Sequence, residues 1–419
     1  MTVLRHIGQL ATCAPGRPQH DAGLVDDAAI VIEAGTIVYA GPEAELPAQA
    51  PRTPTIDCGG RLVIPGLVDC HTHLAFGGWR GDEFEQRIRG ARYQDIAAAG
   101  GGIAGTVKAT RAANRETLEG RARAALEGML ALGVTTVECK SGYGLDEATE
   151  LGVLELYADL DATQPIDLVA TFLGAHVVPP EFADRRDAYV ELLVEKLLPA
   201  VAERGLAEFV DVFVDRGAFS VTEARRLLSR AQALGLGCKV HADQLADDGA
   251  ARLAAEIGAV SAEHLEYAGD EGIAALAAAG TVAVSLPLAS LYLRERYLEA
   301  RRFLDAGVEV AVATDYNPGS APSWHLPLAL VLACLNQQMT PAEALVGATR
   351  VAARAIGRAD RAGSLVPGHP ADLAVIDAPT VNHWLYQFRP NACLAVAKRG
   401  HWVHALDPTR LARPVGQAL

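Results

Sequence analysis

No Cys-x-x-Cys pair occurs in this chain, no apolar run reaches membrane-spanning length, and no cluster of Lys and Arg offsets the acidic composition. The seven cysteines (Cys13, Cys58, Cys70, Cys139, Cys238, Cys334, Cys393) are scattered. An odd count without a framework argues against a disulfide scaffold and for free thiols in a reducing compartment. The N-terminal residues Met1-Thr2-Val3-Leu4-Arg5-His6 lack the pattern of a secretory leader. A cytoplasmic protein without membrane association is therefore expected. The formal net charge is −14, and without a basic patch nucleic acid is not an expected partner. Aromatic residues make up 5% of a chain that is 50% hydrophobic. A core of small aliphatics favours an α/β protein over an all-β one.

What is present alternates. Between about Gly60 and Gly368, strand-like runs are separated by helical patterns. The runs are Leu62–Cys70, Val134–Cys139, Ile166–Leu173, Phe209–Val214, Gly237–Val240, Gly258–Glu263, Thr281–Leu286 and Val308–Thr314. One helix is expected over Glu223–Ala231, with Ser220 or Thr222 as its N-cap. Eight βα repeats predict a closed (β/α)8 barrel, with an open doubly wound sheet as the alternative. No GxGxxG turn follows the first run, which does not decide between them. Strand-like segments at both ends, among them Ala28–Glu33, Thr36–Ala40, Ala371–Asp377 and Cys393–Gly400, suggest a small β-sandwich domain built from the two termini. The expected division is 1–60 and 369–419 for that domain and 61–368 for the barrel. Ala34-Gly35 reads as a hairpin turn.

The chemistry gathers where such barrels place it, at the C-terminal ends of strands. The first run ends in His71-Thr72-His73. Residues i and i+2 of a strand point the same way, so two imidazoles converge. The third run leads to His176, the fifth to His241, the sixth to His264 and the eighth to Asp315. Four histidine-bearing strand ends and one aspartate at one rim read as a metal site rather than as packing. Three neutral imidazoles and a carboxylate suit Zn²⁺ or a similar borderline ion. Such an ion lowers the pKa of water towards ~7. Asp315 is placed to be both weak ligand and base, and His264 to polarise an attacked carbonyl. A carboxylated lysine bridging two metals would come from the end of the fourth run. That end reads Val214-Asp215-Arg216, so one metal is expected. Lys140, ending the second run, reads as structural or as a charge facing the substrate.

The pattern resembles the amidohydrolase superfamily, and within it the imidazolonepropionases. The resemblance spans nearly the whole chain. It rests on Pro65–Leu74, Phe76–Arg80, Ala97–Ile103, Lys140–Leu145, Phe172–His176, His241–Leu245 and Ala313–Ser320. The Lys-Ser-Gly-Tyr-Gly and Asp-Tyr-Asn-Pro-Gly-Ser segments narrow it to the family. The resemblance implies that His71, His73, His241 and Asp315 hold one Zn²⁺ or Fe³⁺ per subunit. It implies a small-molecule substrate, 4-imidazolone-5-propanoate, contacted by Arg80, Tyr143, His176, Gln244, Asn317, Gly319 and Ser320. It also implies a homodimer. Arg80 suits a propionate tail, because guanidinium–carboxylate pairing is charge-assisted. Some members carry glutamate where Gln244 stands, in a general acid/base role, and Gln also occurs there. Gln cannot transfer a proton at ordinary pH. Gln244 is then expected to hydrogen-bond the ring, leaving proton transfer to Asp315 with His264 assisting.

Other readings are a related cyclic-amide hydrolase or aromatic deaminase, or a scaffold that has lost catalysis. Arg80 and Tyr143 argue against a base without a carboxylate. The intact ligand set argues against the scaffold. The segment Gly77–Val107 is expected to form a lid or wall over the site.

Overall fold

A single glycine, Gly66, divides the apolar run Leu62–Cys70 between two different sheets. The computed structural model describes residues 1–48, 50, 54–91, 96, 100–404 and 415. Strands β1 (Thr2–Ala11), β2 (Leu24–Glu33), β3 (Thr36–Pro42) and β4 (Thr55–Pro65) open the chain. Then follow β5 (Leu67–Thr72), β6 (Val134–Lys140), β7 (Asp167–Ala175), β8 (Phe209–Val214), β9 (Gly237–Ala242), β10 (Ser261–His264), β11 (Val282–Ser285) and β12 (Val310–Val312). The last are β13 (Leu373–Ile376), β14 (Cys393–Lys398) and β15 (His401–His404).

The expectation of one strand over Leu62–Cys70 is corrected. Leu62–Pro65 belongs to β4, which pairs with β1 and β13, whereas β5 pairs with β6. Both halves are fully buried, so the apolar run shows no gap. Proline followed by glycine is the local punctuation that marks the break. A β-carbon at Gly66 would lie 2.2 Å from Thr135 Oγ1, so the crossing is tight.

The terminal segments form one seven-stranded sheet, ordered β15-β14-β13-β4-β1-β2-β3. Ala34 and Gly35 both have positive φ, 47° and 82°, and close the β2–β3 hairpin as expected. The other eight strands form a parallel sheet in sequence order, β5 to β12. Its ends meet through backbone hydrogen bonds from Asp315 to His71 (3.1 Å) and from His73 to Tyr316 (2.9 Å). The sheet thereby closes into the expected barrel. Its strands are almost wholly buried, because helices cover the outer face.

Ser220 caps the helix Val221–Ala233, and Glu223 reciprocates in a capping box. Lys398 of β14 ties the two sheets together. Its ammonium donates to Thr135 O (3.0 Å), Asp167 (2.8 Å) and Asp372 (2.7 Å). Among the described residues, no helix is long and apolar enough to cross a membrane.

Candidate active site

His71 and His73 leave the end of β5 on one side, as the two-residue period requires. Their Nε2 atoms lie 3.4 Å and 3.5 Å from the same oxygen, Asp315 Oδ1. The His241 ring, from β9, stands 4.6 Å from that of His71. His264 ends β10, 5.4 Å from His241 and 5.9 Å from His71 between ring centroids. His264 and Asp315 have positive φ, 73° and 54°. A left-handed backbone costs a non-glycine residue roughly 1–3 kcal/mol and persists where the surroundings over-determine it. Two such residues on one rim mark it as a built site.

The tertiary structure adds a charged layer beneath the rings that the sequence analysis missed. Lys140 Nζ sits 2.7 Å from Glu138, 2.8 Å from Asp211 and 3.0 Å from Glu263. Lys239 Nζ sits 3.0 Å from Glu263. All five side chains are fully buried. Lys140 is therefore structural. The signal was present: Glu138 and Lys140, and Lys239 and His241, are i, i+2 pairs interrupting apolar strands. The layer holds one more carboxylate than ammonium, which favours a cation above it. Burial opposes charge on Lys140, but Asp211 and Glu138 overcome it and hold its pKa well above the ordinary value.

This layer also sets the rings. Glu263 approaches His71 Nδ1 at 2.8 Å, and Asp211 approaches His241 Nδ1 at 2.9 Å. The approaches are close without being aligned as hydrogen bonds. Carboxylates on Nδ1 direct Nε2 towards the centre. Among the described residues, Nε2 of His71 and of His241 is buried without a hydrogen-bond partner. Orphaned buried nitrogens are costly. A divalent or trivalent cation fits them, and the described residues include three overlapping groups able to hold one: His71 with His73 and Asp315, His71 with His241 and His264, and Asp211 with His241 and Glu263. Burial, with the charge on His71, keeps His241 well below its ordinary pKa. Burial pushes the Asp315 carboxyl up, but His71 and His73 outweigh it and hold it well below the usual range.

Above the rings opens a cavity of 820 Å³. Small-molecule sites span about 300–1,000 Å³. His73, Arg80, Tyr143, His176, His241, Gln244, His264, Asp315, Asn317 and Ser320 line it; His71 and Gly319 lie outside the lining. His176 stacks on His73 at 5.3 Å, and Tyr143 stands 5.3 Å from His176. Burial, aided by His73, lowers the His176 pKa to about 3, so it is neutral at pH 7. Its Nδ1 lies 3.0 Å from Gly142 O, which places the proton on Nδ1 and leaves Nε2 as an acceptor.

The chain matches the amidohydrolase family over residues 62–403. It is 49% identical to the imidazolonepropionase of Symbiobacterium thermophilum, covering 94% of this chain and 95% of that one. The imidazolonepropionase of Geobacillus kaustophilus is 47% identical, with 91% of each chain covered. The chain belongs to the imidazolonepropionases, a group of amidohydrolases. It is a hydrolase. In fold it is similar to a mutant atrazine chlorohydrolase from Arthrobacter aurescens, complexed with zinc and atraton. The TM-score is 0.72 at 18% identity, over 98% of both chains.

Two residues singled out from the sequence already have partners within the chain. Arg80 is paired with Glu83, through Nη2 at 2.6 Å and Nε at 2.8 Å. Asn317 spends its amide inside its own loop. Its Nδ2 donates to Asp315 O (2.7 Å) and Ser320 Oγ (2.8 Å), and its Oδ1 accepts from the amides of Gly319 and Ser320. Ser320 Oγ in turn donates to Asp315 Oδ2 at 3.3 Å. The described part of Gly77–Val107 forms a wall of the cavity through Arg80, Phe84, Arg87 and Ile103. Residues 92–95 and 97–99 of that segment, including Ala97–Ala99 of the resembling motif, lie outside the described residues.

Proposed function

We propose that this chain hydrolyses the ring C–N bond of 4-imidazolone-5-propanoate, a cyclic amide, to N-formimidoyl-L-glutamate in histidine degradation. The observation that carries the reading is two candidate ligand groups sharing His71, one with His73 and Asp315 and one with His241 and His264, at a cavity walled by Arg80. The likeness to imidazolonepropionases over more than nine-tenths of the chain selects the substrate.

His71, His73, His241 and Asp315 would hold one Zn²⁺ or Fe³⁺ per subunit. Such an ion, when bound, supplies Lewis acidity and lowers the pKa of water. Asp315 takes a proton from the attacking water at its carboxylate and delivers it to the leaving ring nitrogen. The bond formed is between the water oxygen and the ring carbonyl carbon. The bond broken joins that carbon to the ring nitrogen. His264 polarises the carbonyl. Neutral His176 accepts a ring N–H at Nε2, and Gln244 hydrogen-bonds the ring without transferring protons. Tyr143 walls the ring, and Arg80 meets the propionate. Asn317 shapes the loop that presents Gly319 and Ser320. The same reading has the enzyme work as a cytoplasmic homodimer, with the sheet of the two termini dividing from the barrel at Gly66, six residues later than residue 60, and near residue 368. Sedimentation of a monomer alone would refute the dimer.

The test is ultraviolet-monitored turnover of freshly generated 4-imidazolone-5-propanoate by metal-replete protein, with Arg80→Ala alongside. Rapid loss of the imidazolone, sharply reduced in the variant, is expected. No turnover by a metal-loaded protein would overturn the substrate.

A further inference from the structure

The helix Gly81–Ile88 pairs two of its four charges, and the other two, exposed Asp82 and half-buried Arg87, form no ion pair among the described residues. Glu83 is taken by Arg80 and Glu85 by Arg89. The Arg87 guanidinium lies over the Tyr292 ring, 4.5 Å from the centroid, and Tyr292 stacks on Phe84 at 5.6 Å. Nη2 of Arg87 donates to Gly319 O at 3.3 Å. Arg80 also stands against Gly319, its Nη1 only 2.0 Å from where a β-carbon would lie. Both arginines therefore meet at Gly319, one residue from Ser320, whose hydroxyl contacts Asp315.

An anionic substrate entering a chain of net charge −14 needs a counter-charge in the cavity. The Arg80–Glu83 pair is neutral as a unit. Arg216 and Arg294 also line the cavity, but both are exposed, where solvent screens them. Arg87 is half-buried and fixed by an aromatic face, so it is pre-organised. It has donors to spare, since a guanidinium carries five N–H groups.

We propose that Arg87 is a specificity-determining residue: it binds the substrate's propionate carboxylate beside Arg80 and supplies the positive charge that the Arg80–Glu83 pair lacks. The inference rests on the reading of the site as an imidazolonepropionase. Arg87 takes no part in bond making. Its effect is on which ring is accepted, one carrying a carboxylate tail or a neutral one.

The experiment compares 4-imidazolone-5-propanoate with its neutral propanamide, using metal-replete wild type, Arg87→Gln and Arg87→Lys. The readout is the ratio of kcat/KM, carboxylate over amide. A charge-assisted bond sets the expected scale, so Arg87→Gln should lower the ratio roughly 10- to 100-fold, mainly through KM on the carboxylate. Arg87→Lys keeps the charge and should restore most of it. A ratio unchanged in Arg87→Gln, with the wild type active, overturns the role of Arg87 and leaves the activity standing. A folded, metal-replete wild type without turnover of either compound overturns the underlying reading, and this inference with it.

Discussion

At Gly319 the guanidinium of Arg80 fills the space a β-carbon would need. The clashing atom is the tip of a flexible side chain, so the fold can absorb Gly319→Ala while Arg80 cannot keep its place. The variant should keep its melting temperature within about 2 °C. Its kcat/KM should fall about tenfold through KM, the scale of one charge-assisted bond. An unchanged KM would separate Arg80 from substrate binding. Asp211 presents a second single-residue test. It faces His241 Nδ1 at 2.9 Å and accepts the His241 amide at 3.1 Å. Asp211→Asn should weaken metal binding by about 10–100-fold, read by competition with a chelator. Equal affinity would remove Asp211 from the support of the metal. These two residues differ in legibility. Gly319 follows Asp315 in a segment that carries the family resemblance. Asp211 shows in the sequence only as one charge inside an apolar strand, and its partner lies on another strand.

The helix Val221–Ala233 is fixed at its start by the capping box of Ser220 and Glu223. Glu223 also binds Arg186, through Oε1 at 2.5 Å and Oε2 at 3.0 Å. Burial pushes its carboxyl up, but the bonds from Arg186 and Ser220 overcome it and hold the pKa at about 2, against 4.5 ordinarily. A depressed folded pKa contributes stability above the unfolded value and loses it as pH falls through the folded one. Wild type should exceed Glu223→Gln by about 1–2 kcal/mol at pH 7, allowing for solvent screening. Denaturant unfolding should show that difference shrinking as pH falls from about 5 to 2. A pH-independent difference would assign the effect to packing. At this scale the sequence pattern located all eight barrel strands and narrowed the cap to Ser220 or Thr222, of which the structure has Ser220. It merged the end of β4 with β5, because Leu62–Pro65 and Leu67–Thr72 are wholly buried and no polar residue stands between Leu62 and Val68. It expected Val308–Thr314 where β12 covers Val310–Val312.

For the whole molecule, the centre of the barrel couples metal to stability. The orphaned Nε2 atoms of His71 and His241 and the excess carboxylate below them are stabilised by a cation. Stripping the metal with a chelator should abolish turnover, and Zn²⁺ or iron should restore it. The loaded protein should gain about 4 kcal/mol at metal a thousandfold above Kd, seen as a raised melting temperature. Equal melting of stripped and loaded protein would refute the coupling. The sequence by itself determined which residue types stand at the strand ends, because the two-residue alternation of a strand is local. It thereby placed His71, His73, His176, His241, His264 and Asp315 on one rim. Only the tertiary structure decided their distances, the carboxylates behind the rings, and the pairing of Arg80 that leaves Arg87 as the spare charge. Those depend on contacts such as that of Asp69 with Thr314, 245 residues apart, which closes the barrel beside Asp315. No local pattern encodes which strand becomes the neighbour of which, and burial in a shared interior sets the charge states.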